Sequence, residues 1–176
     1  MGASGWHHFV PYQEDIESAL QKLRQQVFAS GNYYRVDHSE YRNMTEEDMR
    51  KRLNEGRVEL QEEVKEIMLD DWRQIQRLKE PTTIQELLRW NRESGTHSIL
   101  DVTRVSEEPE FATVSPLSAE ELREHFGTLK PTHQQVEVWL NNDDMFKLRR
   151  RWIGLYIIVF EDENPTEICF AGFSGD

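Results

Sequence analysis

Apolar positions gather most densely near the C-terminal end of this chain. Residues 153–160 read Ile-Gly-Leu-Tyr-Ile-Ile-Val-Phe, rich in β-branched and aromatic side chains and without polar alternation. A strand of that kind is covered on both faces, so it belongs in the middle of a sheet. The polar stretch Glu-Asp-Glu-Asn-Pro-Thr follows, and then a second apolar run over 167–173. The pattern predicts a β-hairpin with a loop of moderate length, and the other elements should be arranged around it.

Earlier in the chain the 3.6-residue period dominates. Residues 6–12 (Trp-His-His-Phe-Val-Pro-Tyr) read as a short strand, with Pro11 marking its end or an edge. Ile16, Leu20, Leu23 and Val27 then fall on one helical face, and Gly31 can close that helix. Residues 32–43 carry no period and read as a polar, aromatic loop. Thr45 with Asp48 forms a near capping box, with Met44 and Met49 as a hydrophobic staple and Gly56 as a stop. The longest predicted helix runs over 57–79, with Leu60, Val64, Ile67, Trp72, Ile75 and Leu78 as its apolar stripe. Pro81 ends it.

Capping boxes recur at Thr83/Glu86 and Ser118/Glu121, the second followed by Gly127. Thr132/Gln135 opens another helix, although Val136, Val138 and Leu140 alternate as a strand would. Residues 98–105 (Ser-Ile-Leu-Asp-Val-Thr-Arg-Val) read as a strand and 107–116, with two prolines, as a connection. The sum is an α+β fold, a single domain over 1–176. It has a mostly antiparallel sheet of about four strands, the C-terminal hairpin at the centre and five or six helices covering it.

Charge narrows the partners. The net charge of −12 is spread along the chain rather than gathered in a tail. Such a surface repels phosphate backbones, which argues against nucleic-acid binding, and attracts basic partners. No stretch approaches the roughly 20 apolar residues that span a bilayer, and the N-terminal residues carry no secretory signal pattern. Cys169 is the one cysteine, so neither an internal disulfide nor a multi-cysteine metal site is expected. The expectation is a cytoplasmic protein with no cofactor and no metal.

Candidate chemistry is sparse. Glycine-rich phosphate loops, His-Glu-x-x-His and nucleophile-elbow patterns are absent from the sequence. Glu62-Glu63-Val-Lys-Glu66 resembles the magnesium-binding Glu-Glu-x-x-Glu of helical nucleotide pyrophosphatases, but the Glu-x-x-Asp those enzymes need downstream is missing. A solvated helix face is the better reading. His7 and His8 point to opposite faces of a strand, His8 among apolar neighbours. Asp101 lies on one face of the predicted middle strand with Arg104 nearby in sequence. If the first and middle strands were neighbours, a His7 or His8 base, an orienting Asp101 and an anion-binding Arg104 would converge. Lys147, Arg149, Arg150 and Arg151 form the basic cluster, either an anion or partner site or an internal counter-charge to the acidic helices.

Two functions compete on this basis. One is a non-enzymatic, acidic protein-binding module that docks on a basic partner, as immunity proteins and antitoxins do. The aromatic loop at Asn32-Tyr33-Tyr34-Arg35 offers it a contact surface. The alternative is a small cytosolic enzyme acting on an anionic small molecule with a His/Asp/Arg site formed only in the fold.

Overall fold

A computed structural model describes residues 4–56, 60–92, 94–142 and 148–174. The chain groups into two compact units, Met1–Arg35 with Thr83–Asp176, and Val36–Thr82. The larger unit holds the sheet. Its strands are β1 (Ser4–Pro11), β2 (Arg104–Val105), β3 (Thr113–Pro116), β4 (Ile153–Glu161) and β5 (Asn164–Ser174). Their order across the sheet is β1-β5-β4-β3-β2, so β4 is central.

The sheet corrects the expectation of four mostly antiparallel strands. Five strands form it and the pairing is mixed: β1–β5 and β4–β5 are antiparallel, β3–β4 and β2–β3 parallel. The reason is β3, hidden in the proline-containing stretch expected to be a connection. Two helices, α6 (Ala119–Phe126) and α7 (His133–Leu140), carry the chain from β3 to β4, and a helical crossover returns a strand in parallel. The expected strand over 98–105 is mostly a different element. Residues Ile99–Asp101 form a 3-10 turn capped by Ser98, leaving two residues for β2.

The hairpin is also tighter than expected. Glu161 pairs with Asn164, so Asp162 and Glu163 alone make the turn. Both have positive φ, at 45° and 70°, as a type I′ turn requires.

Both faces of the sheet are covered. On one, Trp6, Val114, Ile168 and Phe170 meet α1 (Ile16–Ser30), α5 (Ile84–Trp90) and the 3-10 turn through Leu20, Leu23, Leu87 and Leu100. On the other, Leu155, Ile157, Val159, Cys169 and Phe173 meet α6 through Leu122 and Phe126 and α7 through Val136 and Trp139. The continuous apolar run of β4 is thus explained by helices on both sides.

One packing relation unites the two ends of the chain. Trp6 of β1 stands opposite Gly172 of β5. Its indole is 7 % exposed and lies across the sheet. A Cβ at Gly172 would fall 2.4 Å from Trp6 Cζ2, and one at Gly154 would fall 3.1 Å from Trp6 Cη2. The glycines make room for the ring, and Trp6 Nε1 donates to Ser174 Oγ at 3.2 Å.

The smaller unit is helical, with α2 (Ser39–Asn43), α3 (Glu46–Asn54) and α4 (Glu62–Arg77). Met49, Leu53, Leu69 and Trp72 form its core. α2 lies in the stretch expected to be loop. The predicted helix start at Arg57 falls outside the described residues. Among the described residues there are seven α-helices rather than five or six.

Candidate functional site

The residues singled out in the sequence scatter. β1 and β2 are opposite edges of the sheet, with three strands between them, or about 19 Å at ordinary strand spacing. His7 and His8 therefore sit far from Arg104. Arg104 pairs instead with Glu110 at 2.5 Å on exposed surface. Asp101 is buried and occupied locally. It accepts from Thr96 N at 2.7 Å, Thr96 Oγ1 at 2.9 Å and Ser98 N at 3.4 Å. Its role is to fix the turn at 95–98.

Arg149 turns inward, donating from Nη1 to Glu121 Oε1 at 2.9 Å and to the Leu148 carbonyl at 3.1 Å. Burial pushes the Glu121 carboxyl up, but the Arg149 guanidinium and the Ser118 amide outweigh it and hold it below the ordinary glutamate value. Arg150 is exposed and Arg151 half-buried; Lys147 lies outside the described residues. Burial, reinforced by Glu167, pushes the Cys169 thiol well above the ordinary thiol range. Buried Cys169 is an inert hydrophobe rather than a nucleophile.

Two surface features bear most on function. The first is a cleft of about 480 Å³ in the larger unit. It is lined by Gly5, Trp6, His7 and His8 of β1 together with Tyr33, Tyr34 and His97. Burial, and after it repulsion from His7, lowers the pKa of His8 below the ordinary histidine value. His97, at φ 52°, stacks on Tyr34 with ring centroids 4.6 Å apart, and its Nδ1 lies 3.1 Å from Ser4 Oγ. Asp101 anchors Thr96 and Ser98 on either side, which is how a sequence-predicted residue reaches this cleft indirectly. In sequence His97 merely precedes the stretch 98–105 that reads as a strand.

The second feature is a face of α4. The stripe expected to be buried is only partly so. Leu69 and Trp72 are buried, while Val64, Ile67 and Met68 are 39 %, 63 % and 40 % exposed. Residues at i, i+3 and i+4 share one side of a helix, so these three form a continuous apolar strip. Exposed carboxylates accompany it: Glu62, Glu63, Glu66, Asp70 and Asp71. Lys65 neutralises Glu62 and Arg50 neutralises Glu66. Among the described residues, Glu63, Asp70 and Asp71 make no ion pair. Groups of three or more His, Cys, Asp or Glu able to hold a metal ion are absent among the described residues, and no helix there is long and apolar enough to cross a membrane.

No protein family, curated protein or solved structure matches this chain.

Proposed function

We propose that the protein is a non-enzymatic, acidic protein-binding module that docks on a basic partner. The observation that carries this reading is the α4 face, where three exposed apolar side chains lie beside carboxylates without cationic partners. An apolar strip left in water favours burial against another surface. Its acidic flank selects that surface by charge, rewarding Lys and Arg around an apolar centre and repelling a second copy of this acidic chain. The occupant that fits is a basic amphipathic helix, laid apolar side to apolar side as in helix-in-groove recognition. The separation of His7 and His8 on β1 from Arg104 on β2, at opposite edges of the sheet, also supports a binding role over the enzyme alternative.

The test is recovery from native lysate at low and moderate salt, with wild type and Ile67→Ser as baits. The reading expects a basic protein bound by wild type, recovered less as salt rises, and lost with Ile67→Ser. No co-purifying protein under either condition, or equal recovery by both baits, overturns it.

A further inference from the structure

The two edges of the sheet are finished differently. β2, at one edge, has two residues, and its backbone is capped by side chains from α1. Glu17 Oε2 accepts from Val105 N at 2.6 Å, and Gln21 Nε2 donates to the Thr103 carbonyl at 2.7 Å. Arg104 adds a charge there. These are the devices by which proteins blunt a sheet edge. β1, at the other edge, runs for eight residues, Ser-Gly-Trp-His-His-Phe-Val-Pro, without a Lys, Arg, Asp or Glu. Pro11, at its last position, is its only blunting residue. Among the described residues, the Ser4–Pro11 backbone makes no hydrogen bond outside its pairing with β5.

In an antiparallel pair every second residue turns its N–H and C=O away from the partner strand. β1 therefore presents a ladder of outward donors and acceptors. The cleft lies along that ladder. Four consecutive residues, Gly5 to His8, line it, and consecutive strand residues face opposite sides of a sheet. Gly5 has only backbone to contribute, so the cleft reaches the main chain of this edge strand as well as side chains of one sheet face. Tyr33 and Tyr34 line the same cleft.

The geometry points to strand addition: the β1 edge binds an extended peptide segment of a partner, hydrogen-bonded to the Gly5–His8 backbone and carrying a Lys or Arg side chain toward Tyr33 and Tyr34. The basic side chain follows from three observations. α1 ends at Gly31 beside the cleft with no basic residue in its last turn, so the negative end of its dipole lacks a cation. The tyrosine rings offer faces that attract cations. The chain's net charge of −12 repels acidic peptides. The surface is independent of the α4 face and belongs to the other unit.

The experiment uses the ¹⁵N-labelled full chain and a capped peptide of about six residues, alternating Val and Thr around a central Arg. The inference expects shift changes at Gly5–Phe9, Tyr33, Tyr34 and His97, and slowed amide exchange on β1. N-methylation of the two peptide amides that face β1 removes two hydrogen bonds and weakens binding about tenfold to a hundredfold. Replacing the Arg by Glu weakens it at least about fivefold. Ile67→Ser leaves the titration unchanged, which separates this site from the α4 face. The inference fails if the perturbed amides lie elsewhere, if N-methylation is without effect, or if light scattering shows that β1 is protected by a second copy of the chain.

Discussion

Replacing Gly172 by alanine tests the packing that joins the chain's two ends. The new Cβ would fall 2.4 Å from Trp6 Cζ2, 2.8 Å from Cη2 and 3.0 Å from Cε2. The ring cannot swing aside freely, because it is nearly buried and held at Nε1 by Ser174. Overpacking of this kind costs about 1–3 kcal/mol. Alanine also restricts the unfolded chain, which returns about 0.4–1 kcal/mol. The net loss is about 1–2 kcal/mol, or a drop in Tm of roughly 2–8 °C for a chain of this size. In a Trp6→Leu background the obstructing atoms are gone, and Gly172→Ala becomes neutral or stabilising by up to about 1 kcal/mol. Urea unfolding of the four proteins, followed by far-ultraviolet circular dichroism, gives a coupling of about 1–3 kcal/mol. An equal cost in both backgrounds, or no cost in the wild type, would refute the packing argument.

Other expectations follow from individual contacts. Asp101→Asn replaces an acceptor oxygen with a donor facing the Thr96 and Ser98 amides. It lowers stability by about 2–3 kcal/mol in chemical denaturation and moves the Tyr34 and His97 resonances; an unchanged midpoint counts against the buried anchor. Glu163→Gly relieves a non-glycine residue at φ 70° in the hairpin turn and raises stability by about 1 kcal/mol, whereas a lower Tm would contradict the turn assignment. His8 has a folded pKa below its ordinary 6.5, first through burial and then through His7. The unfolded chain therefore takes up that proton first, so this contribution is whole above pH 6.5 and is lost as pH falls through the window beneath it. His8→Gln flattens the stability profile just below pH 6.5; an unaltered slope there removes His8 as its source.

The sequence was most informative where structure is local. The capping boxes at Thr45, Thr83, Ser118 and Thr132 all form, because each is closed by residues three apart. The same rule applied at Ser98 and Asp101 would have revealed the 3-10 turn, but the alternation over 98–105 concealed it. β3 has only four residues, and its burial comes from β4, some 40 positions away, where no local pattern reports it. The α4 period grouped Trp72 with Val64 and Ile67, whereas in the fold Trp72 is buried with Leu69, Met49 and Leu53 and the other two stay exposed. Gly-Trp-His-His in the first strand and Ala-Gly-Phe-Ser in the last have no visible connection in sequence. In the fold they are paired strands, Trp6 opposite Gly172. The open β1 edge depends on strand order, which only the assembled sheet supplies.

The central claim is that the α4 face binds a basic partner, and its most direct measurement is the affinity of a basic amphipathic helical peptide of Leu and Lys for two proteins. One is the wild type and the other is Val64→Ser/Ile67→Ser, whose changes fall on exposed positions. The account predicts equal melting temperatures and binding weakened about tenfold to a hundredfold by loss of the buried apolar area. A peptide of the same charge with its leucines scrambled should bind both proteins equally and weakly. Equal affinity of the ordered peptide for the two proteins would contradict the account.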